Sequence, residues 1–205
     1  MEWLVWGTLV LTILVIVAAF AWTQWQQARV SALPVITQGL PDFALTNQNG
    51  QAITSANLLG QVWVADVIFT QCPGPCPKMT ERMAELQTAL PLAIPVKLVT
   101  LTTAPEHDRP AVLKRYGERF KAQFDRWMFL TGSNQQIALL ARQGLKLVTE
   151  ETKPEDRVSD EDLFLHSTVF VIVDKHGRLR GSFDSTEPDF QRKILSAIKS
   201  LAREK

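Results

Sequence analysis

An α/β fold around a central mixed β-sheet is the architecture predicted by this sequence of 205 residues. Three observations predict it: strand-like and helix-like apolar patterns alternate, the first of the strands is apolar almost throughout, and a hairpin signal precedes a closing helix. Val62–Phe69 (VWVADVIF) is rich in β-branched and aromatic residues, as a strand covered on both faces requires. Met79, Met83, Leu86 and Leu90 form one helical stripe, which Pro91 ends. Val96–Leu101 is the next strand. Pro110 opens an amphipathic helix through Phe120, with Asp108 expected as its cap. Trp127–Leu130 is a short strand, and Ser133-x-x-Gln136 is a capping box for a helix that ends near Gly144. Glu150–Asp162 is acidic and expected as a surface loop. Thr168–Val173 and Leu179–Phe183 flank Asp174-Lys175-His176-Gly177, a hairpin signal, and a last helix runs from Pro188 to Ala202. Helices should cover both faces of such a sheet, and the order suits a thioredoxin-like sandwich.

A different segment precedes this domain. No Lys, Arg, Asp or Glu occurs between Glu2 and Arg29, and 17 of the 20 residues from Trp3 to Trp22 are apolar. Twenty helical residues rise roughly 30 Å, the thickness of a bilayer core. Trp3 and Trp6 mark one end and Trp22 and Trp25 the other, as an interfacial aromatic belt would. Ala19-Phe20-Ala21 has the A-x-A form of a signal-peptidase site. However, the amino-terminal region carries Glu2 and no basic residue, and the apolar stretch exceeds an h-region. One transmembrane helix acting as an uncleaved anchor is therefore expected, with residues 1–28 as anchor, 29–40 as linker and 41–205 as the domain. No Arg-rich transit peptide is visible, which points to a single-pass protein of a bacterial cell membrane rather than a mitochondrial one.

Composition narrows the chemistry. Residues 29–205 carry 22 positive and 20 negative charges, a balance unlike that of a nucleic-acid binder. Two cysteines cannot build a disulfide scaffold or a four-cysteine metal site. Both lie in Thr70-Gln71-Cys72-Pro73-Gly74-Pro75-Cys76-Pro77, directly after the apolar strand. Reactive groups in open α/β sheets collect at the carboxyl ends of strands. Pro77 suits the first turn of a helix, so Cys76 should sit at a helix amino terminus, where the dipole is expected to lower its pKa and enrich thiolate. The four-residue spacing lets two sulfurs grip one soft ion or approach disulfide distance, so a metal clamp and a redox couple both fit. A metal needs a third ligand, to be sought among His107, His166 and His176. His176 occupies the hairpin turn and His107 a polar loop, both suited to solvent; His166 directly precedes a strand. Two thiolates and an imidazole suit Cu(I), with Cu(II) also accommodated, and do not exclude zinc.

The octet, with Lys78-Met79-Thr80 after it, resembles the copper-binding signature of the SCO/SenC family. Further blocks are similar in the same order: Pro41–Thr46 with Asn49-Gly50, Val64–Thr70, Trp127–Gly132, and His166-Ser167 with Asp174-x-x-Gly177. The resemblance implies a membrane-anchored thioredoxin-like domain that assists copper insertion into cytochrome c oxidase. It implies Cys72, Cys76 and His166 as copper ligands, and it matches Asp66 to an acid beneath the site. The implied partners are subunit II of the oxidase with its CuA site, a copper donor chaperone and a thioredoxin-like reductant. The implied location of the domain is the extracytoplasmic (periplasmic) side. One departure is Thr103-Ala104-Pro105-Glu106, where the family commonly has Asp-Pro-Glu. Metal transfer would call for an exposed site that a partner's ligands can enter. A thiol–disulfide oxidoreductase using Cys72 and Cys76 as its redox pair is the alternative that the same residues allow.

Overall fold

The computed structural model describes residues 2–30, 33–147 and 168–204. The chain divides into two compact units, Met1–Ala32 and Leu33–Lys205. The first contains α1 (Glu2–Val30), whose exposed side chains include Val10, Leu11, Ile13–Val17, Phe20 and Trp22. Counted over the described residues, no helix is long and apolar enough to cross a membrane. The expected transmembrane helix therefore rests on the sequence alone.

The second unit is a mixed sheet with helices on both faces. Its strands are β1 (Ala44–Asn47), β2 (Ala52–Thr54), β3 (Val62–Ile68), β4 (Val96–Thr102), β5 (Trp127–Thr131), β6 (Val169–Val173) and β7 (Leu179–Asp184). They are ordered β2-β1-β5-β4-β3-β6-β7. β3, β4 and β5 run parallel, while β1 and β6 flank them antiparallel. All seven residues of β3 are buried, as its apolar run predicts. Strand alternation sorts them. Val62, Val64 and Ile68 face α2 (Cys76–Ala89), α3 (Pro110–Arg119) and α5 (Phe190–Arg203). Trp63, Ala65 and Val67 face the layer of α4 (Asn134–Ala138).

Local sequence explains most of these elements. α2 carries a proline in its first turn and leaves helical geometry at Leu90, just before Pro91. Its Met79, Met83 and Leu86 are fully buried, and each such burial stabilises the fold by roughly 1.5–3 kcal/mol. α3 packs so closely on β5 that a Cβ added to Gly117 would lie 2.8 Å from the Phe124 and Phe129 rings. Ser133 caps α4 by accepting from the Gln136 N–H. Gln136 returns no side chain to the cap backbone; its Oε1 accepts from the Ser133 hydroxyl instead. The helix then widens into a π-helical stretch, Leu139–Gly144. In the β6–β7 hairpin Asp174 accepts from the His176 and Arg178 N–H groups, and Gly177 takes φ 71°, the left-handed region that favours glycine.

Two expectations change. Asp108 does not cap α3: Arg109 holds the cap position, and the Asp108 side chain turns inward. Part of the 29–40 stretch is tied to the second unit, since the Ile36 N–H donates to Leu179 O and Arg180 donates to Leu33 O. The expected acidic loop Glu150–Asp162 lies outside the described residues.

Candidate metal or redox site

β3 delivers the chain to the cysteine loop, and α2 receives it. Cys72 follows the strand in a tight turn, its N–H donating to Phe69 O at 3.2 Å. Cys76 is the first residue of α2. Pro75, the N-cap residue, has φ −74° and ψ −22°, so the prolines lead the chain into the helix at Cys76. Both cysteines are free thiols, and Cys72 is near enough to Cys76 to raise its pKa.

The thiols are more hidden than the sequence predicts. Cys72 is 6% exposed and Cys76 3%, so neither lies open on the surface. The electrostatics also reverse the expectation for Cys76. Burial, the neighbouring Cys72 side chain, and the charges of Cys72 and Asp66 push its pKa from 9.0 to about 12, against a lowering contribution from the Phe69 backbone. A helix amino terminus favours an anion by about 0.3–1 kcal/mol, whereas one pKa unit corresponds to ~1.4 kcal/mol. The dipole therefore loses to desolvation.

Beneath the pair lies a polar group set in the core. Asp66 on β3 is fully buried; its Oδ1 accepts from Thr100 Oγ1 at 2.7 Å, and its Oδ2 has no hydrogen-bond partner among the described residues. Burial raises its pKa from 3.8 to about 7, against the Thr100 hydrogen bond. Thr100 Oγ1 also accepts from Trp127 Nε1 at 2.9 Å. On the helix side, Thr80 Oγ1 donates to the Cys76 carbonyl at 2.9 Å and lies 2.9 Å from the Tyr116 hydroxyl. With its one proton committed, Thr80 accepts from Tyr116.

Asp108 ties the loop to the sheet. Its carboxylate accepts from the Thr70 N–H at 3.0 Å, Thr70 Oγ1 at 2.5 Å and Thr102 Oγ1 at 2.6 Å. Thr70 stands two residues before Cys72, so this carboxylate anchors the loop to the end of β4. His107 Nδ1 lies 3.1 Å from Asp108, its ring 47% exposed. At Ala104 the backbone takes part: its N–H donates to Thr102 Oγ1 and its carbonyl accepts from the Asp108 N–H.

Sequence reasoning found Cys72, Cys76 and Asp66, which the fold brings to one region. It exposes His176 at the hairpin turn. His166 lies outside the described residues, and among those described no group of three His, Cys, Asp or Glu side chains could hold a metal ion. Thr80, Tyr116 and the inward role of Asp108 were missed. Thr80, four residues after Cys76 on a helix, carries a readable signal, since threonine often back-bonds to the carbonyl one turn earlier.

The family model described as SCO1/SenC matches residues 36–203. A Bacillus subtilis protein named SCO1 protein homolog is 33% identical over 162 residues, covering 78% of this chain and 81% of that protein. A Stutzerimonas stutzeri protein named as a candidate copper-binding protein is 33% identical over 159 residues, covering 76% of this chain and 73% of its own length. The solved structure of BsSco, presented as a member of the Sco family of cytochrome c oxidase assembly proteins with a disulfide switch, superposes with a TM-score of 0.70. It is 30% identical, with 84% of this chain and 99% of that one covered.

Proposed function

The chain belongs to the SCO1/SenC family, and on that premise we propose that it is a membrane-anchored copper metallochaperone that assists maturation of cytochrome c oxidase. The observation that carries this reading is the Cys72–Cys76 pair. The only two cysteines of the chain meet as free thiols at the carboxyl end of the central strand. Two soft sulfur donors four residues apart suit Cu(I), and an imidazole from His166 completes three-coordination and accommodates Cu(II). Copper is the cargo. Binding through thiolates displaces the thiol protons, so loading releases protons to solvent. Transfer then proceeds by ligand exchange toward the CuA site of oxidase subunit II, after loading by a copper donor chaperone.

The names of a relative and a neighbour support the reading: one refers to copper binding and the other to oxidase assembly. The charge-free stretch of 26 residues after Glu2 supports a single-pass anchor. The family resemblance supports a domain on the extracytoplasmic side, and no Arg-rich transit peptide is visible, which suits a bacterial cell (inner) membrane.

A second reading is favoured by the proximity of two free thiols and by the disulfide switch described for BsSco. In it, one thiolate attacks a partner's disulfide and the second resolves the mixed disulfide. Cys72 and Cys76 end oxidised, the partner ends with two thiols, and a thioredoxin-like reductant restores the pair.

Copper titration of the full chain in detergent separates the two. One copper per chain is expected, lost in Cys72→Ser and Cys76→Ser, with affinity at least tenfold lower in His166→Ala. Unchanged affinity in His166→Ala removes His166 from the ligand set. Absence of copper binding together with reduction of a partner's disulfide establishes the redox reading instead.

A further inference from the structure

A cavity of about 240 Å³ opens beside the cysteine loop, lined by Thr70 and Gln71 from the loop and by Val112, Arg115, Tyr116 and Arg119 from α3. Arg115 and Arg119 are exposed and four residues apart, so they rise from one face of the helix. The Arg119 guanidinium stacks over the Tyr116 ring at 4.9 Å and Phe120 at 5.8 Å, which orients its N–H groups. Neither arginine has a carboxylate partner among the described residues, and Glu118 pairs with neither. Lys78, Arg82, Arg192 and Lys193 on other helices are ion-paired, while Lys114, Lys199 and Arg203 have no such pair among the described residues; what sets Arg115 and Arg119 apart is that they share one cavity. Two unpaired guanidinium groups line a cavity whose wall is formed by the residue preceding Cys72.

We propose that this cavity is a docking site for an acidic side chain of the protein that receives copper, holding that partner against the Cys72 loop. The proposal rests on the metallochaperone reading. The planar forks of two arginines match a carboxylate in geometry as well as charge. The cavity is sized for a side chain, and its position places the bound partner beside Cys72, where donor exchange occurs. Complementary charge at such a site raises the association rate and sets orientation, and salt weakens it.

The test uses the full chain in phosphatidylcholine nanodiscs, with the purified soluble domain of cytochrome c oxidase subunit II as probe. Its affinity is measured at low and high salt for the wild type, for Arg115→Glu with Arg119→Glu, for Arg115→Gln with Arg119→Gln, and for Lys199→Glu on α5. The charge-reversed chain is expected to bind at least tenfold more weakly at low salt, with the difference shrinking at high salt. The glutamine variant should fall between, and Lys199→Glu should match the wild type. A polyglutamate peptide should compete with the wild type and not with the charge-reversed chain. Copper per chain, read in parallel, should be unchanged in every variant. Equal affinities, no binding by the wild type, or an equal loss in Lys199→Glu overturn the proposal. So does a loss confined to nanodiscs containing phosphatidylglycerol, which would assign the arginines to anionic lipid. If the wild type takes up no copper yet binds with this arginine and salt dependence, the copper reading falls and the docking site stands.

Discussion

Asp66 sets the cost of burial against the chemistry above it. A carboxyl group with one oxygen lacking a partner among the described residues is held in the core of β3, with one hydrogen bond from Thr100. Burial disfavours its charged form and raises its pKa from 3.8 to about 7. As pH rises, the unfolded chain releases this proton first, so the folded state holds more protons across that interval and loses stability through it. Asp66→Asn keeps the acceptor for Thr100 without the charge. Denaturant unfolding should show the variant gaining on the wild type as pH rises from about 4 to about 7, reaching ~4 kcal/mol above that range. Parallel pH profiles for the two proteins would show that Asp66 is charged in both states. Both cysteines were identifiable from their spacing and neighbours, whereas the buried state of Cys76 was not. The helix end that should favour its thiolate is a local feature; the apolar surroundings that oppose it come from other segments of the chain.

At the scale of elements, the ends of β3 and β4 are held together by one carboxylate. Asp108 binds Thr70 at one strand end and Thr102 at the other, and so fixes the loop that carries Cys72. In Asp108→Ala the half-buried Thr70 and buried Thr102 hydroxyls lose their acceptor, and stability should fall by about 2–4 kcal/mol, seen as a lower denaturant midpoint. Alkylation of Cys72 and Cys76 under native conditions should also speed up several-fold, because the loop is freed. A lower midpoint with unchanged alkylation would limit Asp108 to stability. The core strands, α2 and the β6–β7 hairpin were legible because apolar periodicity and proline positions are local signals. Asp108 was misread because an Asp just before a helix-opening proline fits a cap and a buried acceptor equally well. Only the arrival of Thr70 from 38 residues away distinguishes the two.

For the whole molecule, the division into Met1–Ala32 and Leu33–Lys205 predicts that the second unit folds without the first. A chain of residues 33–205 should unfold at the same denaturant midpoint as the full chain in detergent. Starting instead at Thr37 removes the Leu33 carbonyl, which accepts from Arg180 at 2.6 and 3.0 Å, and should lower stability by about 1–3 kcal/mol. In cells, the full chain should resist alkaline carbonate extraction from membranes, and the 33–205 chain should be soluble. Extraction of the full chain would remove the anchor from the proposed function. The net charge of +1 says little about partners, since it combines a nearly charge-free amino-terminal segment with a weakly positive domain. The cavity that Arg115 and Arg119 line beside the cysteine loop is visible only once α3 is packed on the sheet.

The sequence by itself determined the strand and helix order, the mixed α/β class, the charge-free amino-terminal segment and the cysteine pair with its family resemblance. Each depends on spacing within a few residues, which short-range sterics and apolar periodicity control. The tertiary structure alone decided that the thiols are buried, that Asp66 lacks a partner for one oxygen among the described residues, that Asp108 faces inward, and that two arginines line a cavity by Cys72. These depend on which distant segments share a volume from which water is excluded. There the cost of burying a polar group, and the partners available to offset it, come from the packed fold and not from neighbours in sequence.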